Sequence, residues 1–307
     1  MKTEHISTVN QILSDVFSTY PSWALYLLVA IIGCCIGSFL NVIIYRKPLI
    51  AKCNEEAYVH KQYGVTLKHE QQVNTKRSHC PDCHAQVPAK YNIPIIGWII
   101  LKGKTNCCGK ALSIVYPTVE LMTGMLYVSA LHLVGAVNLT LISMYIMIAS
   151  MVAICVIDFR HKLVFDIHAS FFCISAIFTF YLINHSSEFL IDALMSLVFM
   201  VFAIKCYEIV RNKVMKTDLV MMGDGDWSLW MIMFASCGIY SDASNTSLLE
   251  VIAAAILTTL VFGLVTIAIK FVSCRALNAN VAYSQEFPAA PAITSTTLCL
   301  TALTLII

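Results

Sequence analysis

The residues best suited to chemistry in this sequence are aspartates set where apolar runs begin or end. Asp158 follows the apolar stretch AICVI in AICVIDFRHKLVFD, which runs on to Asp166, and Asp224 and Asp226 stand in MMGDGDWSLW ahead of another apolar run. A carboxylate at the edge of a membrane span is expensive to place, so each is a functional candidate by default. Two carboxylates held close together cannot both ionise comfortably: one keeps a proton while the other stays charged. Such a pair can activate a water and protonate a leaving amine. Gly223 and Gly225 flank Asp224 and allow a turn that a Cβ would obstruct, so an extended peptide can approach the carboxylates. As plain loop acids, the same residues would pair with Arg160, Lys162, Arg211 or Lys213. Position at a span edge favours a function for Asp158 and Asp226, and leaves Asp166 and Asp224 open between the two readings.

Sulfur forms a second group. Cys80 and Cys83 stand in SHCPDCH, and Cys107 and Cys108 are adjacent in KTNCCGK. Other cysteines, such as Cys34, Cys155 and Cys237, lie in apolar runs, where a thiol acts as a small core hydrophobe. No disulfide framework is expected, and in a reduced compartment the cysteines of the polar insert are thiols or metal ligands. Two polar residues also interrupt apolar stretches. Asn41 lies a turn beyond Gly37 and Ser38, on a face of small groups suited to close helix packing and hydrogen bonding. Glu120 calls for a partner such as a lysine or a helix end. His132 and His168 show no metal-ligand spacing.

The elements that must carry these groups are membrane helices. Of 307 residues, 58% are hydrophobic and only 12% charged, with a mean hydropathy of +0.75. An ordinary soluble domain has roughly 25% charged residues. The net charge of +2 gives no basic field for nucleic acid. Runs long enough for the roughly 20-residue span of a bilayer predict an all-α integral membrane protein of about eight helices, at 23–45, 112–134, 137–157, 167–183, 189–209, 227–240, 248–271 and 287–307. Residues 1–22 precede the first helix without the basic start and cleavage site of a removed signal, residues 46–111 form a small Cys-containing insert, and residues 112–307 form a seven-helix core. With the N-terminus outside, only Lys2 of the twenty Lys and Arg residues falls on the outer side, which orients the chain by the positive-inside rule. The insert and the span-edge aspartates then face the cytoplasm. FPAAP at 287–291 punctuates the start of the last span and is a candidate to line the mouth of the site.

In order along the chain, GSFLNVIIYRKP (37–48), SHCPDC (78–83), YNIPIIGWIILKGK (91–104), YPTVELMTG (116–124), IDFRHKLVFD (157–166) and GDGD (223–226) resemble the type IV prepilin leader peptidase/N-methyltransferase family. The resemblance implies a membrane aspartic endopeptidase of the bacterial inner membrane with Asp158 and Asp226 as its catalytic pair. Gly223, Gly225, Asp166, Asp224, Glu120 and Asn41 would support the site. Its substrates would be prepilins or type II pseudopilins, cut after a glycine between a basic leader and an apolar helix. The resemblance also implies N-methylation of the new terminus with S-adenosylmethionine, although the sequence has no glycine-rich nucleotide loop. Two Cys-x-x-Cys pairs in the family bind a structural zinc. Here Cys80 and Cys83 match the first pair and Cys108 the last ligand, but Thr105 stands where a cysteine is expected, leaving Cys107, His79 or His84 as the fourth. Phe165 replaces the usual proline before Asp166.

Other classes fit less well. A proton-coupled transporter would place its acids near mid-membrane on repeated halves, and no internal repeat is present. A presenilin-like protease shares Gly-x-Gly-Asp but lacks the cysteine insert, and an inactive assembly factor would not need both aspartates.

Overall fold

The computed structural model describes residues 2–63, 80, 83, 85–184, 191, 198, 202, 206, 209, 213, 226–276 and 290–306. Most of the span expected at 189–209, the insert residues 64–79 (with His79), His84, Gly223, Asp224 and Gly225 lie outside the described residues. The chain is helical: α1 (Lys2–Ser18), α2 (Ser22–Tyr63), a 3-10 turn (Ala89–Tyr91), α3 (Ile96–Ile100), α4 (Val115–Val134), α5 (Leu139–His161), α6 (Asp166–Asn184), α7 (Asp226–Ser244), α8 (Leu248–Ala276) and α9 (Ala290–Ile306). The described residues contain no strand, only an isolated antiparallel bridge between Lys104 and Ala111.

Among the described residues, Ser22–Asn54, Leu139–His161 and Asp166–Ile183 are long and apolar enough to cross a membrane. Ile232–Ser241, Leu248–Phe262 and Ala290–Ile306 are shorter apolar helices. The first helix does not stop at residue 45 but runs through Pro48 to Tyr63. Its polar continuation is rich in Ala, Lys and Glu, which propagate a helix past the one hydrogen bond that proline removes. Residues 46–63, expected as part of the insert, are therefore helical.

Two compact units divide the chain, one of Val16–His132 and one of Met1–Asp15 with Leu133–Ile307. In the first, α2 and α4 run antiparallel in a constant register. Tyr26 Oη meets His132 Nδ1 at 3.3 Å, Gly33 lies against Gly124 and Gly37 against Glu120, and Asn41 Nδ2 donates to the Tyr116 carbonyl at 3.0 Å. A Cβ at Gly33 would come within 2.8 Å of Gly124 Cα, and one at Gly37 within 2.7 Å of Glu120 Cα. Small residues let the backbones meet, and with no water to displace, that close contact supplies the association.

In the second unit α5 is the central helix, with Met147, Ile148, Ile154 and Ile157 all at most 1% exposed. Its start is satisfied twice: Asn138 Oδ1 accepts from Leu141 N, and Asn10 Oδ1 of α1 accepts from Leu139 N, both at 2.9 Å. Its end is closed by Lys162 in the left-handed conformation, whose N–H donates to the Asp158 carbonyl. Such caps settle backbone groups that a helix end leaves open. Ser143 of α5 and Thr179 of α6 share a hydrogen bond of 2.6 Å. Thr259 of α8 reaches Thr296 of α9 at 3.1 Å and Met233 Sδ of α7 at 3.4 Å, and one turn further on Cys237, Ala255 and Leu300 cluster together. Thus α7 and α9 run parallel with α8 between them in the opposite sense. The buried threonines of α9 return their hydroxyls to the carbonyls four residues back, so none brings an unsatisfied polar group into the apolar interior. On α8, Leu257, Leu260, Val261 and Leu264 are exposed, as suits a surface turned to lipid.

Candidate active site and metal centre

Asp158 is 6% exposed, in the last turn of α5. Its Oδ2 accepts a hydrogen bond of 3.2 Å from the Ala290 N–H, the first residue of α9. That N–H is one of the donors a helix start leaves without an intrahelical partner, and the positive end of the helix dipole favours a carboxylate there. Pro291 follows at a position where proline costs no helical hydrogen bond. The FPAAP stretch thus contributes a backbone donor to Asp158, a contact its sequence alone did not name.

Asp226 is the first residue of α7. Met233 comes seven residues after it and Thr296 six residues after Ala290, and both meet Thr259. At about 1.5 Å rise per residue, the backbones of Asp226 and Ala290 therefore start at roughly the same height in the helix bundle. The carboxylate-bearing end of α5 and the starts of α7 and α9 share one end of this unit. Asp166 opens α6 and is exposed. His168, which shows no metal-ligand spacing in the sequence, is buried, its ring edge-on to Phe165 at 6.3 Å.

In the other unit Glu120 is buried, and its Oε2 accepts from the Ile95 N–H at 2.6 Å, at the start of α3. A helix start is one of the partners its burial demands, and the donor lies on an irregular segment that hydropathy could not single out. Ile95 itself has φ 60, a region a β-branched residue enters only when its surroundings hold it there.

The four cysteines converge. The Sγ atoms of Cys80, Cys83, Cys107 and Cys108 lie within 4.8 Å of one another, with Cys80 to Cys108 at 3.7 Å and Cys83 to Cys107 at 3.1 Å. Two tight turns present them. Cys80 N–H donates to the Ala85 carbonyl, and Thr105 N–H donates to the Lys110 carbonyl. The second turn needs Gly109 at φ +70, a conformation that strongly favours glycine. Tetrahedral zinc at about 2.3 Å from each sulfur places the sulfurs about 3.8 Å apart, so this donor set fits a closed zinc site. The adjacent Cys107 and Cys108 both enter it because the turn between Thr105 and Gly109 directs both side chains to the same point.

The thiols are not equivalent. The contact with Cys83 holds the Cys107 proton up to about 12, while the Thr105 hydroxyl and the Lys110 backbone lower Cys108. Zinc must displace the held protons. Adding zinc to the metal-free protein at neutral pH is therefore expected to release protons, with affinity falling as pH falls; a pH-stat titration checks both. Replacing Cys80, the buried member, with serine should take the metal content of the purified protein from about one zinc per chain to about none, measured by elemental analysis.

These features define a helical chain with helices long and apolar enough to cross a membrane, a buried aspartate at a helix end and a cluster of four thiols. Residues 31–134 match the Bacterial Peptidase A24 N-terminal domain. The chain is 34% identical over 155 residues to the "Type 4 prepilin-like proteins leader peptide-processing enzyme" of Escherichia coli O78:H11, covering 50% of this chain and 56% of that protein. It is 37% identical over 155 residues to the "Prepilin leader peptidase/N-methyltransferase" of Dickeya chrysanthemi, covering 49% and 53%, and 32% identical over 156 residues to that of Klebsiella pneumoniae, covering 50% and 61%. The matches span a little over half the length of these curated relatives. No solved structure matches the chain. Over the matched half, the chain is similar to proteins named prepilin leader peptidase/N-methyltransferase.

Proposed function

We propose that the protein is a membrane aspartic endopeptidase that removes the leader from type IV prepilins or pseudopilins and then methylates the new N-terminus. The observation that carries the reading is the buried Asp158 at the end of α5, held by the Ala290 N–H at 3.2 Å, in a chain whose relatives bear the names given above. The charge pattern supports an inner-membrane protein of about eight spans with its site toward the cytoplasm, where basic leaders reside.

In this mechanism Asp158 and Asp226 share one proton. The charged carboxylate takes a proton from a water as that water attacks the scissile carbonyl after the substrate's glycine. The protonated partner then gives its proton to the leaving amine, the new N-terminus of the pilin. Ala290 fixes the orientation of Asp158 throughout. Zinc at the four cysteines would tie the insert's ends together, and a set of four protein ligands leaves no open position for substrate. S-adenosylmethionine, when bound, would supply an electrophilic methyl group to the freed amine.

Co-expression with a prepilin tests the reading. A faster-migrating product whose mass corresponds to cleavage after the glycine supports it, and an increment of about 14 daltons on that product reports methylation. An uncut prepilin beside correctly inserted protein refutes it. A narrower test removes one donor. Ala290→Pro eliminates the N–H to Asp158 at a helix start where proline is otherwise tolerated. A hydrogen bond to a charged group is worth roughly 1.5–3 kcal/mol, so the cleavage rate is expected to fall by roughly tenfold or more.

A further inference from the structure

The helix α1 (Lys2–Ser18) has no part in the chemistry described above, yet its side chains are sorted by face. At about 100° per residue, they fall into three arcs. Ile6, Asn10 and Leu13 share one and are half-buried. Asn10 fastens this side to α5 by accepting the Leu139 N–H at 2.9 Å. Val9, Ile12 and Val16 share the next and are 42%, 57% and 53% exposed. Ser7, Thr8, Gln11, Asp15 and Ser18 fill the third, and all are exposed. The helix thus turns one side to protein, one apolar side outward and one polar side outward. Val9 and Val16 are seven residues apart, about 10 Å along the axis, and the polar arc runs over the same length. A helix standing upright through a boundary between water and lipid would divide its apolar and polar residues by end, whereas one lying in the boundary divides them by side. Nor does α1 suit a crossing. Its 17 residues include Lys2, Glu4 and Asp15, and at about 1.5 Å each they fall short of a hydrocarbon core of roughly 30 Å.

The points where α1 is fastened identify the boundary. Leu139 is the first residue of Leu139–His161, a helix long and apolar enough to cross a membrane, so its start lies where such a helix enters the bilayer. Three residues after α1 the chain enters α2, whose segment Ser22–Asn54 is also long and apolar enough to cross. Tyr20 and Trp23 stand exposed at that entry, where aromatic rings settle at the level of lipid headgroups. We propose that α1 is an interfacial anchor, lying in the plane of the bilayer surface with Val9, Ile12 and Val16 seated among lipid acyl chains just below the headgroups. The polar arc then faces water. With only Lys2, Glu4 and Asp15 as Lys, Arg, Asp or Glu residues, α1 is held by apolar burial and not by attraction to anionic headgroups. Because Asn10 grips the Leu139 N–H, the anchor also fixes the depth at which α5 enters, and α5 carries Asp158 at its other end. The inference stands apart from the peptidase and methyl-transfer readings, since it concerns only what covers this face.

The test uses the full chain in lipid nanodiscs of phosphatidylcholine, with and without phosphatidylglycerol. The photoreactive residue p-benzoylphenylalanine replaces Ile12, Val16, Thr8 or Gln11, one at a time, and the products of ultraviolet irradiation are mapped by peptide mass. Phospholipid adducts are expected at Ile12 and Val16 in yields at least about tenfold above those at Thr8 and Gln11, because only the apolar side reaches the acyl chains. The yields should be the same in both lipid mixtures. Thermal unfolding identifies the variants that remain folded, and if the replacement at Ile12 unfolds the protein, the exposed Val9 takes its place. Equal lipid labelling on both sides of α1, or no lipid adduct at the apolar positions of folded protein, overturns the proposal. Adducts at Ile12 and Val16 to a second copy of the chain also overturn it and make this face a self-association surface. A yield that rises severalfold with phosphatidylglycerol overturns seating by apolar burial in favour of headgroup attraction.

Discussion

Replacing Asp158 with asparagine is expected to abolish prepilin cleavage while leaving the protein folded and inserted. Asparagine keeps the shape of the side chain and can still accept the Ala290 N–H that Asp158 Oδ2 accepts at 3.2 Å. It cannot take a proton from water or share one with a second carboxylate. General acid–base groups contribute typically about 10²–10⁴-fold to a rate, and removing one member of a cooperating pair removes most of what the pair does together. Asp226→Asn should give a loss of the same order, and the double variant little more than either single one. The assay is the prepilin mobility shift with the mass of the new N-terminus, normalised to the amount of membrane-inserted enzyme. Cleavage at the normal rate by either variant would remove that residue from the catalytic pair and shift attention to Asp166 or Asp224.

The second large effect is on stability rather than chemistry. Gly37→Leu is expected to lower the stability of the N-terminal unit by about 3 kcal/mol or more, toward the upper end of overpacking penalties. The first atom of any side chain at Gly37 would come within 2.7 Å of Glu120 Cα and 3.0 Å of the Val119 carbonyl oxygen. These are backbone atoms, which cannot rotate out of the way, so the helices must separate. Separation would loosen the Asn41-to-Tyr116 hydrogen bond of 3.0 Å one turn on and displace Glu120 from Ile95. Ile31→Leu on the exposed face of α2 is the control and should change stability little. Thermal unfolding in detergent, followed by tryptophan fluorescence, distinguishes the two. Equal melting temperatures would show that α2 and α4 do not need their close approach.

The amino-acid pattern was legible wherever the deciding interaction is local. Hydropathy over a window of about twenty residues reports whether a helix can live in lipid, because each residue's transfer free energy depends mainly on its own side chain. Asp158 stood out for the same reason, as a charge directly after five apolar residues. The cysteines at 80, 83, 107 and 108 were likewise visible, since ligand spacing at a knuckle is a property of a few consecutive residues. Less was readable where local preferences compete. The helix continuing through Pro48 to Tyr63 defeated a boundary drawn from hydropathy, because polar residues with high helix propensity prolong a helix after its apolar stretch has ended.

By itself, then, the sequence determined that the chain is helical, that it has stretches long and apolar enough to cross a membrane, and which of its residues could do acid–base or thiolate chemistry. Only the tertiary structure decided which of those residues have partners and what the partners are. Asp158 meets the N–H of Ala290 across 132 positions of sequence. Glu120 takes its hydrogen bond from Ile95, 25 positions away, and Cys80 lies 3.7 Å from Cys108 across 28. Those pairings depend on where helices begin and end and on the register in which they pack, and a shift of one residue rotates a side chain about 100° around its helix. Hydropathy and spacing do not fix that register. Close contacts such as Gly37 against Glu120 and Thr259 against Thr296 do, by allowing the helices to meet in one arrangement.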